Sequence, residues 1–138
     1  LVWNDFIFDE TLDLTDNISA NIGISARYRI TDKIHYSSKT AFVPTKSYVS
    51  DTTDPIALRI ANARFDLCEV YRRKLEKHID SLRTLNPEKV ELEYLAKQDV
   101  IFVEKFSNEW TKFLNVPKDE MIAELEKLEN KVHRELAN

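Results

Sequence analysis

Arg64, Asp66 and Glu69 fall close together in the stretch RFDLCEVY, with Tyr71 completing the group. Asp66 and Glu69 stand three apart, so on a helix they can share a face, and paired carboxylates are one way to move a proton on and off a substrate. An enzyme built on Arg64, Asp66 and Glu69 needs them in one concave polar pocket, with a carboxyl titrating away from its ordinary range. The same pattern also makes a plain solvated face, or carboxylate partners for Arg72 and Arg73. Cys68 is the chain's single cysteine. It excludes an internal disulfide and a Cys-based metal cluster, and its place beside apolar neighbours suits a buried, inert thiol better than a nucleophile. His35, His78 and His133 lie far apart in the sequence and in no recognisable motif, as surface or half-exposed histidines do. Residue types alone name no reaction.

The elements that must position these groups divide the 138 residues into two parts, a sheet part over 1–51 and a helical part over 54–138, within one expected domain. In ISANIGISARYRI (18–30), Ile18, Ala20, Ile22, Ile24, Ala26, Tyr28 and Ile30 alternate with Asn21, Gly23, Ser25, Arg27 and Arg29. That period of two predicts a strand with one face on a core. Thr31-Asp32-Lys33 reads as a turn, and 34–43 as the returning strand of an antiparallel hairpin. A Trp3–Phe6 pair is expected to anchor the first residues. Asp54-Pro55 then signals a helix start, the Asp capping free amides and the Pro suiting the first helical position. The stripe Ile56, Ile60, Ala63, Leu67, Val70, Tyr71, Ile79 and Leu82 carries that helix to about 84. Asn86-Pro87 predicts a second helix over 87–114, with Leu92, Leu95, Phe102, Phe106, Trp110 and Phe113 inward. Pro117 opens a third over 117–136, with Ile122, Leu125, Val132 and Leu136 inward. Its solvated face is expected to hold Glu126, Lys127, Glu129, Lys131, Arg134 and Glu135. The fold class is α+β: a small antiparallel sheet followed by three helices.

Composition closes several routes. A net charge of −4, with no basic stripe, argues against nucleic acid as a partner. Apolar runs are only a few residues long, so no membrane span is expected. With Gly23 as the only glycine, phosphate-cradling loops and dinucleotide fingerprints are excluded. No cofactor is implied. The chain opens at Leu1 rather than Met and shows no charged-then-apolar leader, the expectation for a mature or trimmed fragment.

Three segments taken together carry a resemblance. Leu1, Trp3, Asp5 and Phe6 match a Leu-x-Trp-x-Asp-Phe opening. Lys46, Ser47 and Val49 match a Lys-Ser-Trp-Val segment at the end of a strand, with Tyr48 in place of Trp. Phe65, Asp66, Glu69, Tyr71, Arg73, Lys74 and Leu75 match a helix of the form His-Glu-Gln-x-His-Phe-Asp-Ile-Ala-Glu-Leu-Tyr-Ala-Arg-Lys-Leu. In this order and spacing, over residues 1 to about 85, the chain resembles the bacterial domain-of-unknown-function family 922, whose members are described as zinc-dependent, zincin-like proteases. The resemblance implies a zincin-like fold and a location in the bacterial envelope, either periplasmic, lipid-anchored or secreted.

The motif's chemistry does not carry over. The two zinc-binding histidines of the family fall on Ile60 and Arg64, and the general-base glutamate on Ala61. Two imidazoles one helical turn apart hold a zinc ion that lowers the pKa of bound water to about 7. Isoleucine and alanine have no lone pair to offer, and arginine repels a cation. The resemblance therefore implies a pseudoprotease: a non-catalytic domain that binds a protein or peptide in the old substrate cleft, or serves as a scaffold. Arg64 is expected to pair with Asp66, Glu69 or a residue of another helix. Two alternatives stand beside this. One is an enzyme of another class using a cleft with Arg64, Asp66 and Glu69. The other is a purely structural domain of an envelope assembly, marked by a large exposed apolar patch.

Overall fold

The computed structural model describes residues 1–30, 34–85 and 91–137. Asp54 does cap the first helix: its carboxylate accepts the Ile56 N–H at 3.0 Å, and Pro55 takes the first helical position. Helix α1 then runs Pro55–Leu85 and is the axis of the molecule, packed against the other two helices and three of the strands. Its near face is lined with Ala57, Ala61 and Ala63, all fully buried, so neighbouring elements approach its backbone closely. Helices α2 (Leu92–Leu114) and α3 (Met121–Leu136) pack along α1, and α2 also meets β3. Five strands complete an α+β architecture among the described residues: β1 (Ile7–Phe8), β2 (Ile18–Ser19), β3 (Ile22–Ile30), β4 (Ile34–Phe42) and β5 (Tyr48–Val49).

The strand expected over 18–30 is two strands in two sheets. β3 and β4 form an antiparallel hairpin in unbroken register from Ile22↔Phe42 to Ile30↔Ile34, whereas β2 pairs antiparallel with β5, and β5 pairs parallel with β1. The alternation of side chains continues across the junction, and Ile18, Ala20 and Ile22 are all buried. What changes there is the backbone partner. Asn21 N–H bonds the Ser47 Oγ at 2.9 Å, and that hydroxyl donates to the Val43 carbonyl at 2.7 Å. The Ser47 carbonyl in turn accepts the Ile7 N–H at 2.9 Å. Ser47 is fully buried, with its polar groups engaged by strands of both sheets or their continuations. The expected turn at 31–33 lies outside the described residues.

The helices differ from expectation at their starts. α2 begins at Leu92 rather than 87, and Asn86-Pro87 lies outside the described residues. After Pro117 comes a single tight turn, Lys118–Glu120, and α3 starts only at Met121. Leu92 and Ile122, both expected inward, are exposed, and on α3 it is the neighbouring Met121 that packs against the core. The face of α3 expected to be solvated is half engaged. Glu129 meets Arg59 of α1 at 2.5 Å, Lys131 pairs with Glu109 of α2, and Glu135 lies 3.8 Å from Lys74. A helix packed on two neighbours turns both flanks of its stripe toward their flanks.

Two apolar clusters result. The larger joins Phe6, Ile18, Ala20, Ile22 and Val49 of the sheet part to Ile60, Leu67 and Cys68 of α1 and to Phe106, Trp110, Phe113, Leu125 and Val132. Phe6 meets Phe42 edge-on with centroids 5.2 Å apart, so the opening segment is anchored as expected. The smaller cluster, Leu75, Ile79, Leu95 and Phe102, sits farther along α1 beneath Tyr28 and Tyr36 of the hairpin. Replacing Ser47 with Ala strands the Asn21 N–H in the interior, while the Val43 carbonyl keeps the Lys46 N–H at 3.1 Å; a buried polar group left unpaired costs about 1–3 kcal/mol. Urea unfolding followed by tryptophan fluorescence should show a loss of that size for Ser47→Ala, and an unchanged midpoint would refute the bridging role.

Candidate functional site

Ile60, Ala61 and Arg64 form the floor of a cavity of about 140 Å³. One wall is the loop and edge strand Thr15–Ala20, presenting Thr15, Asp16, Ile18 and Ser19, and the other is Trp110 and Leu114 of α2. The three positions thus meet at one hollow. Helical spacing explains this: positions 60, 61 and 64 lie on one face of α1, which here looks toward β2 and the end of α2. The loop wall is held in an uncommon backbone. Asp16 and Asn17 both have positive φ, 56° and 65°, the left-handed region that Asp and Asn tolerate better than most residues. Asn17 is pinned there by its Nδ2, which donates to Asp54 at 3.2 Å, and by its carbonyl, which accepts the Ser50 N–H at 2.9 Å.

Arg64 takes none of the expected carboxylate partners. Its Nη1 donates to the Ala20 backbone carbonyl at 2.9 Å, and its guanidinium lies 5.8 Å from the centre of the Trp110 ring. The Nε is buried without a hydrogen-bond partner. Burial pulls the guanidinium pKa down from its ordinary value, with Cys68 the only opposing influence. The physical reason for the missing pairs is angular. Asp66 and Glu69 leave α1 in other directions, so neither reaches the cavity.

Asp66 turns toward α3, where burial pushes its carboxyl up and His133 partly offsets the shift. Glu69 turns toward β4. It accepts from Arg72 Nε at 2.5 Å and from Thr40 Oγ1 at 3.4 Å, and Arg72 also reaches Glu76 at 2.7 Å and the Ser38 carbonyl at 3.3 Å. Tyr71 faces α2 and α3, with Lys74 5.2 Å above its ring. Burial, with Glu109 and Glu135 nearby, pushes its phenol up to about 12. The four residues therefore serve three different faces of α1, and only Arg64 lines the cavity.

The thiol of Cys68 is fully buried and its pKa is pushed up by burial to about 11, so it is a packing atom at neutral pH. His35 lies on β4 and His78 stacks 5.8 Å from Phe102, while His133 is exposed on α3. None of the three lines the cavity. Zinc does not fit the floor, since Ile60 and Ala61 supply no donor atoms and Arg64 brings a positive charge. Among the described residues no three His, Cys, Asp or Glu side chains gather at one point.

Trp110 was legible only as core at helical spacing and Leu114 only as the end of its helix, and nothing in their spacing marks them as a wall. Asp16-Asn17 carried a usable turn signal. A second polar constellation escaped sequence reasoning altogether. Tyr28 and Tyr36 face each other across the hairpin, and both hydroxyls donate to the Asp99 carboxylate of α2, Tyr36 at 2.9 Å. The signal was the register, which pairs 28 with 36, together with an aspartate at helical spacing between Leu95 and Phe102 on the inward stripe of α2. No family model, curated protein or solved structure matches the chain.

Burial pushes the Asp99 carboxyl from its ordinary 3.8 up to about 6. A carboxyl whose pKa is higher folded than unfolded binds more protons in the folded state at intermediate pH. Its stabilising contribution is therefore complete below pH 4 and is lost as pH rises through about 6. Asp99 is partly open to water, which reduces the effect to about 1 kcal/mol. In urea unfolding at a series of pH values, the wild type should lose stability relative to Asp99→Asn as pH rises from about 4 through 6. A difference independent of pH would show that Asp99 titrates normally.

Proposed function

We propose that the chain is a non-catalytic, zincin-like domain that binds a protein or peptide segment in the hollow beside β2. The observation that carries this reading is the cavity itself. It lies on Ile60, Ala61 and Arg64, and it remains open although the side chains there are wrong for zinc. Its lining has the character of a binding pocket, with apolar walls from Ile18, Ile60, Leu114 and Trp110 and a few polar groups from Thr15, Ser19 and Arg64. One wall is β2, an edge strand of its sheet, against which an extended segment can lie and add backbone hydrogen bonds. The left-handed backbone at Asp16 and Asn17 is a second support, since such strain gathers where a loop is held for a purpose. A place in the bacterial envelope rests on the family resemblance.

The alternative enzyme gains nothing from the geometry, because Arg64, Asp66 and Glu69 serve separate faces of α1. A purely structural role has one observation in its favour. Leu92, Ala96, Val100 and Val103 follow helical spacing on α2 and are all exposed, which gives an apolar stripe available to an assembly.

Native mass spectrometry after incubation with zinc should return the mass of the metal-free chain, and a fluorogenic peptide pool should stay uncleaved. An array of random peptides should contain binders that lose at least about tenfold in affinity, a change of roughly 1.4 kcal/mol, to Ala61→Leu, which fills part of the hollow. Circular dichroism of the variant establishes that it is folded. One zinc per chain with peptide cleavage ends the non-catalytic reading, and binding indifferent to Ala61→Leu moves the site elsewhere.

A further inference from the structure

We propose that the cavity is a carboxylate site, in which Arg64 grips the carboxylate of a ligand whose short aliphatic end lies against Ile18, Ile60 and Trp110. This rests on reading the cavity as a binding cleft and specifies what enters it. The argument starts from the charge. Arginine stays protonated at any physiological pH, and burying an ion without a counter-ion is costly. Among the described residues the ion pairs include none with Arg64, and Asp16, the other charged residue lining the cavity, lies beyond ion-pair distance from it. Two other arginines of α1 are placed differently: Arg59 has Glu129, and Arg72 has both Glu69 and Glu76.

Geometry narrows the class of ligand. Nη1 is held by the Ala20 carbonyl, which fixes the plane of the guanidinium. Nε is sealed inside the fold, whereas Nη2 makes no bond to the described residues and is the donor left open to a ligand. The hydrogens of Nη2 are what the guanidinium offers, and a carboxylate oxygen accepts them as a charge-assisted hydrogen bond. Trp110, within cation–π distance, holds the other side of the group without neutralising it. A planar monoanion completes this set. A phosphate dianion brings a second negative charge into a hollow with a single cation and with Asp16 on its wall. The volume of 140 Å³ suits a short branched acid, in size about four or five waters of the liquid. The carboxylate can belong to a free small acid or to the C-terminus of a protein chain.

The test uses the ¹⁵N-labelled chain and reads the Trp110 indole N–H and Arg64 Nε–H resonances, with the indole assigned by Trp3→Phe. The probes are isobutyrate, isobutyramide, N-acetyl-Ala-Val, its C-terminal amide, and inorganic phosphate. Isobutyrate should shift both resonances saturably and bind at least about tenfold tighter than isobutyramide or phosphate, and Arg64→Gln should abolish that preference. Equal binding of acid and amide, equal binding of phosphate, or no shift up to the solubility limit of isobutyrate overturns the proposal. The acid–amide comparison on the wild type decides the matter even where Arg64→Gln does not fold. Tighter binding of N-acetyl-Ala-Val than of its amide identifies a chain terminus as the source. Binding of isobutyrate alone identifies a free acid and keeps the anchor while removing the peptide reading. Equal binding of the dipeptide and its amide removes the anchor and keeps the peptide reading.

Discussion

The hydroxyl of Ser47 is the joint on which the architecture turns. A buried hydroxyl has one hydrogen to give and lone pairs to accept with, and here both capacities are spent on backbone groups that no sheet ladder satisfies. The chain leaves β2 at Ala20 and Asn21 and must enter a different sheet at Ile22. During that change the Asn21 amide and the Val43 carbonyl have no strand partner. Ser47 supplies one to each, and its own main chain continues into the ladder that holds β1. The hollow beside β2 exists because of this arrangement. If the strand ran straight, Ala20 would not turn its carbonyl to Arg64, and the loop Thr15–Asn17 would not stand over Ile60.

The second organising constraint is how α1 distributes charge among its neighbours. Arg72 sits between two carboxylates and a backbone carbonyl, and so ties β4 to the helix at little electrostatic cost. Arg59, Lys74 and the α2 residue Glu109 do the same toward α3. Surface pairs of this kind contribute little each, on the order of 0.2–1 kcal/mol, but they fix the rotation of each helix about its axis. Arg64 stands outside that pattern. An unpaired cation beside a hollow is hard to account for as packing, and ordinary for a contact whose other half arrives from outside.

Much of this was legible in the sequence. The Asp54 cap, the α1 stripe and the inward aromatic residues from Phe102 to Phe113 follow from rules of local geometry, and the structure obeys them. The residues matching the family motifs also find physical work: Asp5 accepts the Val2 N–H at 2.8 Å, Phe6 and Val49 enter the core, and Ser47 bridges the sheets. The break in the strand was hidden because side-chain alternation survives when the backbone changes partner. Leu92 and Ile122 misled because periodicity tells which way a residue points but not whether a neighbour stands there. The Arg64 partner was missed for a related reason: sequence patterns pair charges with charges, and a backbone carbonyl from a distant strand leaves no mark in them. The hollow is a product of tertiary packing, and its walls on β2 and α2 come together only in the fold.

The length of α1 has a further consequence for motion. At 31 residues it is roughly 46 Å long, enough to pass through both apolar clusters. Its first half is enclosed by β2, α3 and the end of α2, while its second half is covered mainly by the hairpin and the start of α2, held through Tyr28, Tyr36 and Asp99. The smaller cluster has only Leu75, Ile79, Leu95 and Phe102 at its heart, so less apolar area holds it closed. The molecule thus carries two apolar clusters of unequal size along one rod, joined through Ile24 and Tyr71, and amide hydrogens around the smaller one are expected to exchange with solvent first.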